Sequence, residues 1–157
     1  RTRVEIWLDP WSYIDTAGYQ VTQSLFAIGS GGVLGTGLGQ GYPNFIPAVH
    51  TDIIFSACCE ELGLAGGAAI IVLFMIIVYR GLRTALQAKD DFAALAASGL
   101  TALLGLQAFI ILAGVTRLLP LTGVTLPFMS YGGSSLVANF ILLGLLLNIS
   151  NEAQDSS

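Results

Sequence analysis

Three long stretches without a charged residue divide this chain, and they set its architecture. Leu62 to Tyr79, Phe92 to Thr116 and Leu118 to Asn151 carry no Asp, Glu, Lys or Arg. A helix of about 20 apolar residues crosses a hydrocarbon core ~30 Å thick. The first two stretches predict spanning helices over about 54–79 and 92–116. In the third, Pro120, Pro127, Gly132 and Gly133 interrupt the first half, so a helix is expected only over 134–150. The pattern reads as an all-α integral membrane fold with three crossings.

Residues 1–52 follow a different pattern. Trp7, Trp11, Tyr13 and Tyr19 cluster as an interfacial aromatic belt would, and Asp9-Pro10 marks a turn. Gly18 to Ile28 mixes Val21, Leu25, Phe26 and Ile28 with Gln20, Thr22, Gln23 and Ser24, as expected of a short helix on a membrane surface. Gly29 to Gly41, with Pro43 and Pro47 behind it, must be irregular. At membrane depth such backbone persists only inside protein or along a watery cavity.

Composition supports the membrane reading. Hydrophobic residues make up 54% of the 157 and charged residues 10%, against about 25% charged in an ordinary soluble domain. Mean hydropathy is +0.76. The net charge is −4, and no basic cluster offers a footprint for nucleic acid. Arg80, Arg83 and Lys89, three of the six bases, stand between the first two spans. The positive-inside rule puts that connection in the cytoplasm, residues 1–52 and Arg117–Gly133 outside, and the tail Asn151–Ser157 inside. Small residues four apart, Gly63 with Gly67 and Ala93 with Ala97, suit close helix packing and imply a bundle larger than three. The start Arg1-Thr2-Arg3, with no initiator Met and no visible signal peptide, points to absent upstream helices. Cys58 and Cys59 are neighbours, ill placed for a disulfide and too few for a zinc site. They are expected to pack as small apolar groups.

Several positions offer chemistry. The glycine stretch lacks the Gly-Lys-Ser/Thr ending of a phosphate loop, so its glycines read as turns and close approaches. Asp52, after His50 and Thr51, stands at the mouth of an apolar run. A carboxylate there suits a general base, or equally a helix start favoured by the macrodipole. Glu60 and Glu61 follow two turns on; buried acids at such depth are often functional, and a first-turn position outside lipid is the alternative. His50 alone makes no metal site. Arg117 either snorkels to headgroups or neutralises a phosphate. Pro127 through Ser135 forms a glycine-broken helix entry, either a structural turn or an anion contact through free N–H groups.

Strung in order, these residues resemble a known family. Asp9-Pro10-Trp11, Gly18-Tyr19-Gln20, Gln23-Ser24-Leu25, Gly35-Thr36-Gly37, His50-Thr51-Asp52 and Glu60-Glu61-Leu62-Gly63 resemble the SEDS family (shape, elongation, division and sporulation), which includes FtsW, RodA and SpoVE. Leu121-Thr122-Gly123 and Pro127 through Ser135 complete the likeness over almost the whole chain. Gly114-Val115-Thr116-Arg117 and Ala138-Asn139-Phe140 look closest to actinobacterial RodA-type members.

The resemblance implies the C-terminal part of a polytopic inner-membrane enzyme of about ten helices. Residues 1–52 would be its extracytoplasmic loop, 53–150 its last three spans and 151–157 a cytoplasmic tail. It implies a glycosyltransferase that polymerises lipid II beside a class B penicillin-binding protein. Asp52 would be the general base. His50, Thr51, Gln20, Gln23, Glu60, Arg117, Ser130, Ser134 and Ser135 would be candidate substrate contacts. A divalent cation, Mg or Mn, could serve at the diphosphate. Many members carry Glu after the proline of the Pro-x-x-His-Thr-Asp string, where this chain has Ala48; no second loop carboxylate is assigned. A lipid-linked precursor transporter or flippase, and a non-catalytic scaffold for the penicillin-binding protein, are the alternatives.

Overall fold

The computed structural model describes residues 2–14, 18–37, 54–120, 122–130 and 132–154. Among them the structure is helical, without strands. Helix α1 is Thr2–Leu8, a 3-10 turn covers Trp11–Tyr13, and α2 is Tyr19–Ser30. The long helices are α3 (Ile54–Gln87), α4 (Asp91–Val115) and α5 (Gly133–Gln154). All three are long and apolar enough to cross a membrane.

Their bounds differ from the sequence expectation in informative ways. Helix α3 continues past Tyr79 to Gln87, so Arg80 and Arg83 ride on its last turns and Lys89 alone lies in the connection. No proline interrupts that stretch, and Gly81 packs so closely on α4 that a Cβ there would collide with the Thr101 side chain. The Asp90 carboxylate then accepts from the Ala93 N–H at 2.6 Å and caps α4. Helix α5 likewise runs to Gln154 instead of ending near 150.

Among the described residues, two clusters carry much of the interior. Phe55, Cys59, Ala108, Ile111, Val115 and Leu126 pack near one end. Ala97, Leu104, Leu142 and Leu146 pack towards the other. Cys59 is buried, as expected of a small apolar residue, and both cysteines are free. On α2 the buried face is Thr22, Ser24 and Ala27, while Phe26 is half exposed. At the end of α2, Gly31 approaches α3 so closely that a Cβ there would overlap the Cys59 carbonyl. Large side chains such as Leu73, Met75, Leu103, Phe109 and Leu147 stay more than half exposed. Water would not tolerate so continuous an apolar surface; lipid or further helices would cover it.

The governing local feature is a break in α3. Gly63 adopts φ 71 and ψ −172, a region essentially restricted to glycine. It was expected to pair with Gly67 on a packing face; instead it meets the glycine loop after α2. The break releases backbone groups on both sides, and the loop takes them up. The Leu64 N–H donates to Gly32 O at 2.9 Å and the Ala65 N–H to Val33 O at 3.3 Å. In return the Thr36 N–H donates to Glu60 O at 2.9 Å and the Gly37 N–H to Glu61 O at 3.1 Å. The Thr36 hydroxyl adds a bond to Glu60 O. Backbone in a bilayer must be satisfied internally, and this exchange does so. It also shows why Gly31-Gly32 and Gly35-Thr36-Gly37 accompany Gly63 in the sequence.

Candidate active site

At the α3 N-terminal end, a pocket of about 440 Å³ opens between Ile54 and the broken entry to α5. Phe128, Met129, Ser130, Gly132 and Leu136 line the α5 side. Asp52, two positions before Ile54, lies outside the described residues, as do His50 and Thr51.

The α5 side is a tightly tied turn. Met129 and Ser130 N–H groups donate to Leu126 O, and the Leu126 N–H donates back to the Ser130 hydroxyl at 2.8 Å. Leu126 and Ser130 are both buried. The closed ring holds Phe128 at φ 65, uncommon for a residue with a Cβ. The Phe128 ring rests edge-on against Phe140, centroids 5.5 Å apart. Behind the turn, Thr125 and Ser135 hydroxyls bond at 2.8 Å, and Asn139 Nδ2 reaches Ser135 Oγ at 3.4 Å. Gln107 Nε2 on α4 donates to Thr125 O at 2.9 Å. Sequence reasoning missed Gln107 and Asn139; the available signal was an amide inside an otherwise apolar span. The turn delivers the start of α5, at Gly133, to the pocket wall. First-turn N–H groups have no partner within their own helix.

The other sequence candidates scatter around this pocket. Ser130 lines it, while its hydroxyl is held by the Leu126 N–H. Ser135 stands one layer behind, and Ser134 is exposed in the first turn of α5. Gln23 is half-buried on α2, and the Gln20 side chain lies outside the described residues. Glu60 is buried just before the Gly63 break, its carbonyl held by Thr36. Gln23, Glu60 and Arg117 do not line the pocket.

Arg117 is an anchor in this structure. Its Nε donates to Trp7 O at 3.0 Å and its Nη2 to Leu8 O at 2.8 Å, where a cation suits the C-terminus of α1. Trp7 Nε1 returns a bond to Arg117 O at 2.9 Å. The clamp draws Arg117 to φ 63. Close by, hydrogen bonds from the Ser12 hydroxyl (2.5 Å) and N–H hold the Asp9 carboxylate below its usual 3.8, helped weakly by the Arg117 charge. Among the described residues no three of His, Cys, Asp and Glu gather to hold a metal ion.

Known proteins match this arrangement over nearly its whole length. The cell cycle protein family of FtsW, RodA and SpoVE matches residues 1–155. The chain belongs to that family. It is 54% identical over 154 residues to the peptidoglycan glycosyltransferase RodA of Mycobacterium tuberculosis, covering 98% of this chain and 33% of that protein. To the probable peptidoglycan glycosyltransferase FtsW of Geobacter metallireducens it is 47% identical over 152 residues, covering 96% and 40%. A solved structure on the coordination of polymerization and crosslinking by a peptidoglycan synthase complex superposes with TM-score 0.80 at 32% identity, over 98% of this chain and 42% of that one. A mutant of the rod shape determining protein RodA of Thermus thermophilus superposes with TM-score 0.64, also at 32% identity, over 84% and 40%. The chain thus spans about a third of the mycobacterial relatives' length. Family membership and three apolar spans make it part of a multi-pass membrane protein.

Proposed function

We propose that this chain supplies the outer loop and last three helices of a peptidoglycan glycosyltransferase that polymerises lipid II in the bacterial cytoplasmic membrane. The supporting observation is 54% identity, over almost the whole chain, to proteins named for that activity. In the proposed reaction the acceptor sugar's hydroxyl oxygen bonds to the donor's anomeric carbon as the bond from that carbon to the lipid diphosphate breaks. Asp52 takes the hydroxyl proton, a role worth about 10²–10⁴ in rate. The departing diphosphate needs positive charge from arginine, lysine or a bound divalent cation such as Mg or Mn. The pocket between Ile54 and the α5 start favours this reading, because it adjoins the chain position of Asp52 and presents a helix N-terminus suited to anions. Its wall is the Ser130 turn, which accounts for the polar, glycine-rich string from Pro127 to Ser135.

The base-rich end of α3 and the connection that carries Lys89 would face the cytoplasm, residues 1–52 the outside, and a class B penicillin-binding protein would be the crosslinking partner. The test is reconstitution of the full-length polypeptide with lipid II. The Asp52→Ala protein is expected to fold and to bind its partner yet make at least about 10²-fold less glycan. Undiminished polymerisation by that variant refutes the general base. Lipid translocation without polymer by the unaltered protein favours a transporter, and neither activity favours a scaffold.

A further inference from the structure

A second cavity, of about 460 Å³, lies between α3 and α5 at the opposite end of the spans from the Ile54 pocket. Its floor is apolar, with Ile76 and Ile77 on α3 facing Leu143, Leu146 and Leu147 on α5. Its rim carries Arg80 and Arg83, with Thr84, Gln87 and Ser150. Both arginines are exposed, and neither guanidinium makes an ion pair or hydrogen bond to a described residue. Among the described residues the acids at this end, Asp90, Asp91 and Glu152, do not line the cavity. Leu64 to Tyr79 is 16 residues of unbroken helix, about 24 Å at 1.5 Å per residue. That is somewhat less than a core of about 30 Å, and the long Arg80 side chain can snorkel to the headgroup level at that end.

We propose that this groove is a binding site for an anionic glycerophospholipid, one acyl chain on the leucine floor and the phosphate between Arg80 and Arg83. The charge pattern selects the occupant. Two cations without an acid partner among the described residues, above an apolar slot, complement one negative headgroup above one chain, and basic recesses between membrane helices hold such lipids. Arg83, one turn from Arg80, presents a planar fork that matches phosphate oxygens bidentately. The volume falls in the range of small-molecule sites.

The experiment is native mass spectrometry on the full-length polypeptide, titrated with phosphatidylglycerol and, separately, with phosphatidylcholine of the same chains. Phosphatidylglycerol is expected to bind more tightly. The R80Q/R83Q variant should weaken it about thirtyfold, from about 1 kcal/mol for each base near the surface, and leave phosphatidylcholine unchanged. R80K/R83K should keep most of the preference, which separates charge from folding. Leu147→Trp, filling the slot without changing charge, should weaken phosphatidylglycerol as well. Equal binding of both lipids, or R80Q/R83Q binding phosphatidylglycerol as the unaltered protein does, overturns the proposal. So does displacement of the lipid by soluble glycerol phosphate, which would mean that no acyl chain is seated. A photoreactive side chain at position 147 that crosslinks to protein instead of lipid would show that another segment fills the groove, and would overturn it too.

Discussion

Replacing Gly63 by alanine should unfasten the outer half of α3 from the loop after α2. An added Cβ would overlap the Gly35 N–H, sit 2.5 Å from Val33 O and 2.7 Å from the Leu34 carbonyl carbon. Real Cβ atoms do not approach backbone that closely, and the φ 71, ψ −172 conformation is essentially closed to alanine. Two responses are available. If the break persists, the residue carries about 1–3 kcal/mol of backbone strain plus the overlap. If α3 straightens instead, the four exchanged backbone bonds are lost. Two are regained, because Leu64 and Ala65 N–H groups return to the Glu60 and Glu61 carbonyls as in any helix. The net is two bonds, about 2 kcal/mol at about 1 kcal/mol each. Both routes converge on a destabilisation of roughly 2–3 kcal/mol, centred on this junction. Hydrogen exchange on the full-length polypeptide in detergent reads it directly. Amides of Thr36 and Gly37, whose acceptors are taken back by the helix, should lose protection by about 30-fold or more, at 1.4 kcal/mol per decade. Gly99→Ala is the control: a Cβ there meets nothing within 4 Å on a helical backbone, so it should be neutral or stabilising by up to about 1 kcal/mol. Unchanged exchange at both Thr36 and Gly37 in Gly63→Ala would refute the reasoning.

Other outcomes test the remaining contacts. Ser130→Ala leaves the buried Leu126 N–H without its side-chain acceptor, so a loss of about 1–3 kcal/mol is expected, read as a lower melting temperature. Arg117→Ala removes two charge-assisted bonds to the end of α1 and should free that helix, seen as faster trypsin cleavage after Arg3 at unchanged global melting. An impermeant thiol reagent applied to intact cells should modify a cysteine placed at Ser12 and spare one at Gln87; the reverse pattern would invert the proposed orientation.

What the sequence determined by itself was the number of spans and their rough placement. Hydrocarbon imposes one length and one demand, internal satisfaction of the backbone, and charge-free runs report both without knowledge of any contact. The glycine-broken entry to α5 and the small-residue character of Cys59 and Ala97 were legible for the same reason, being properties of local composition. The family strings made Asp52 the leading candidate although it lies outside the described residues. Other features required the tertiary structure because their causes sit far away in the chain. Gly63 reads as a helix-packing glycine until residues 31–37, some 30 positions earlier, supply the bonds its break releases. Arg117 reads as a side chain that snorkels to headgroups or neutralises a phosphate until α1, 110 residues distant, places its carbonyls against the guanidinium. Gln107 is an unexplained amide in a span until Thr125 O meets it. In each case the partner is a backbone carbonyl or N–H, which every residue carries and which therefore leaves no mark in the sequence.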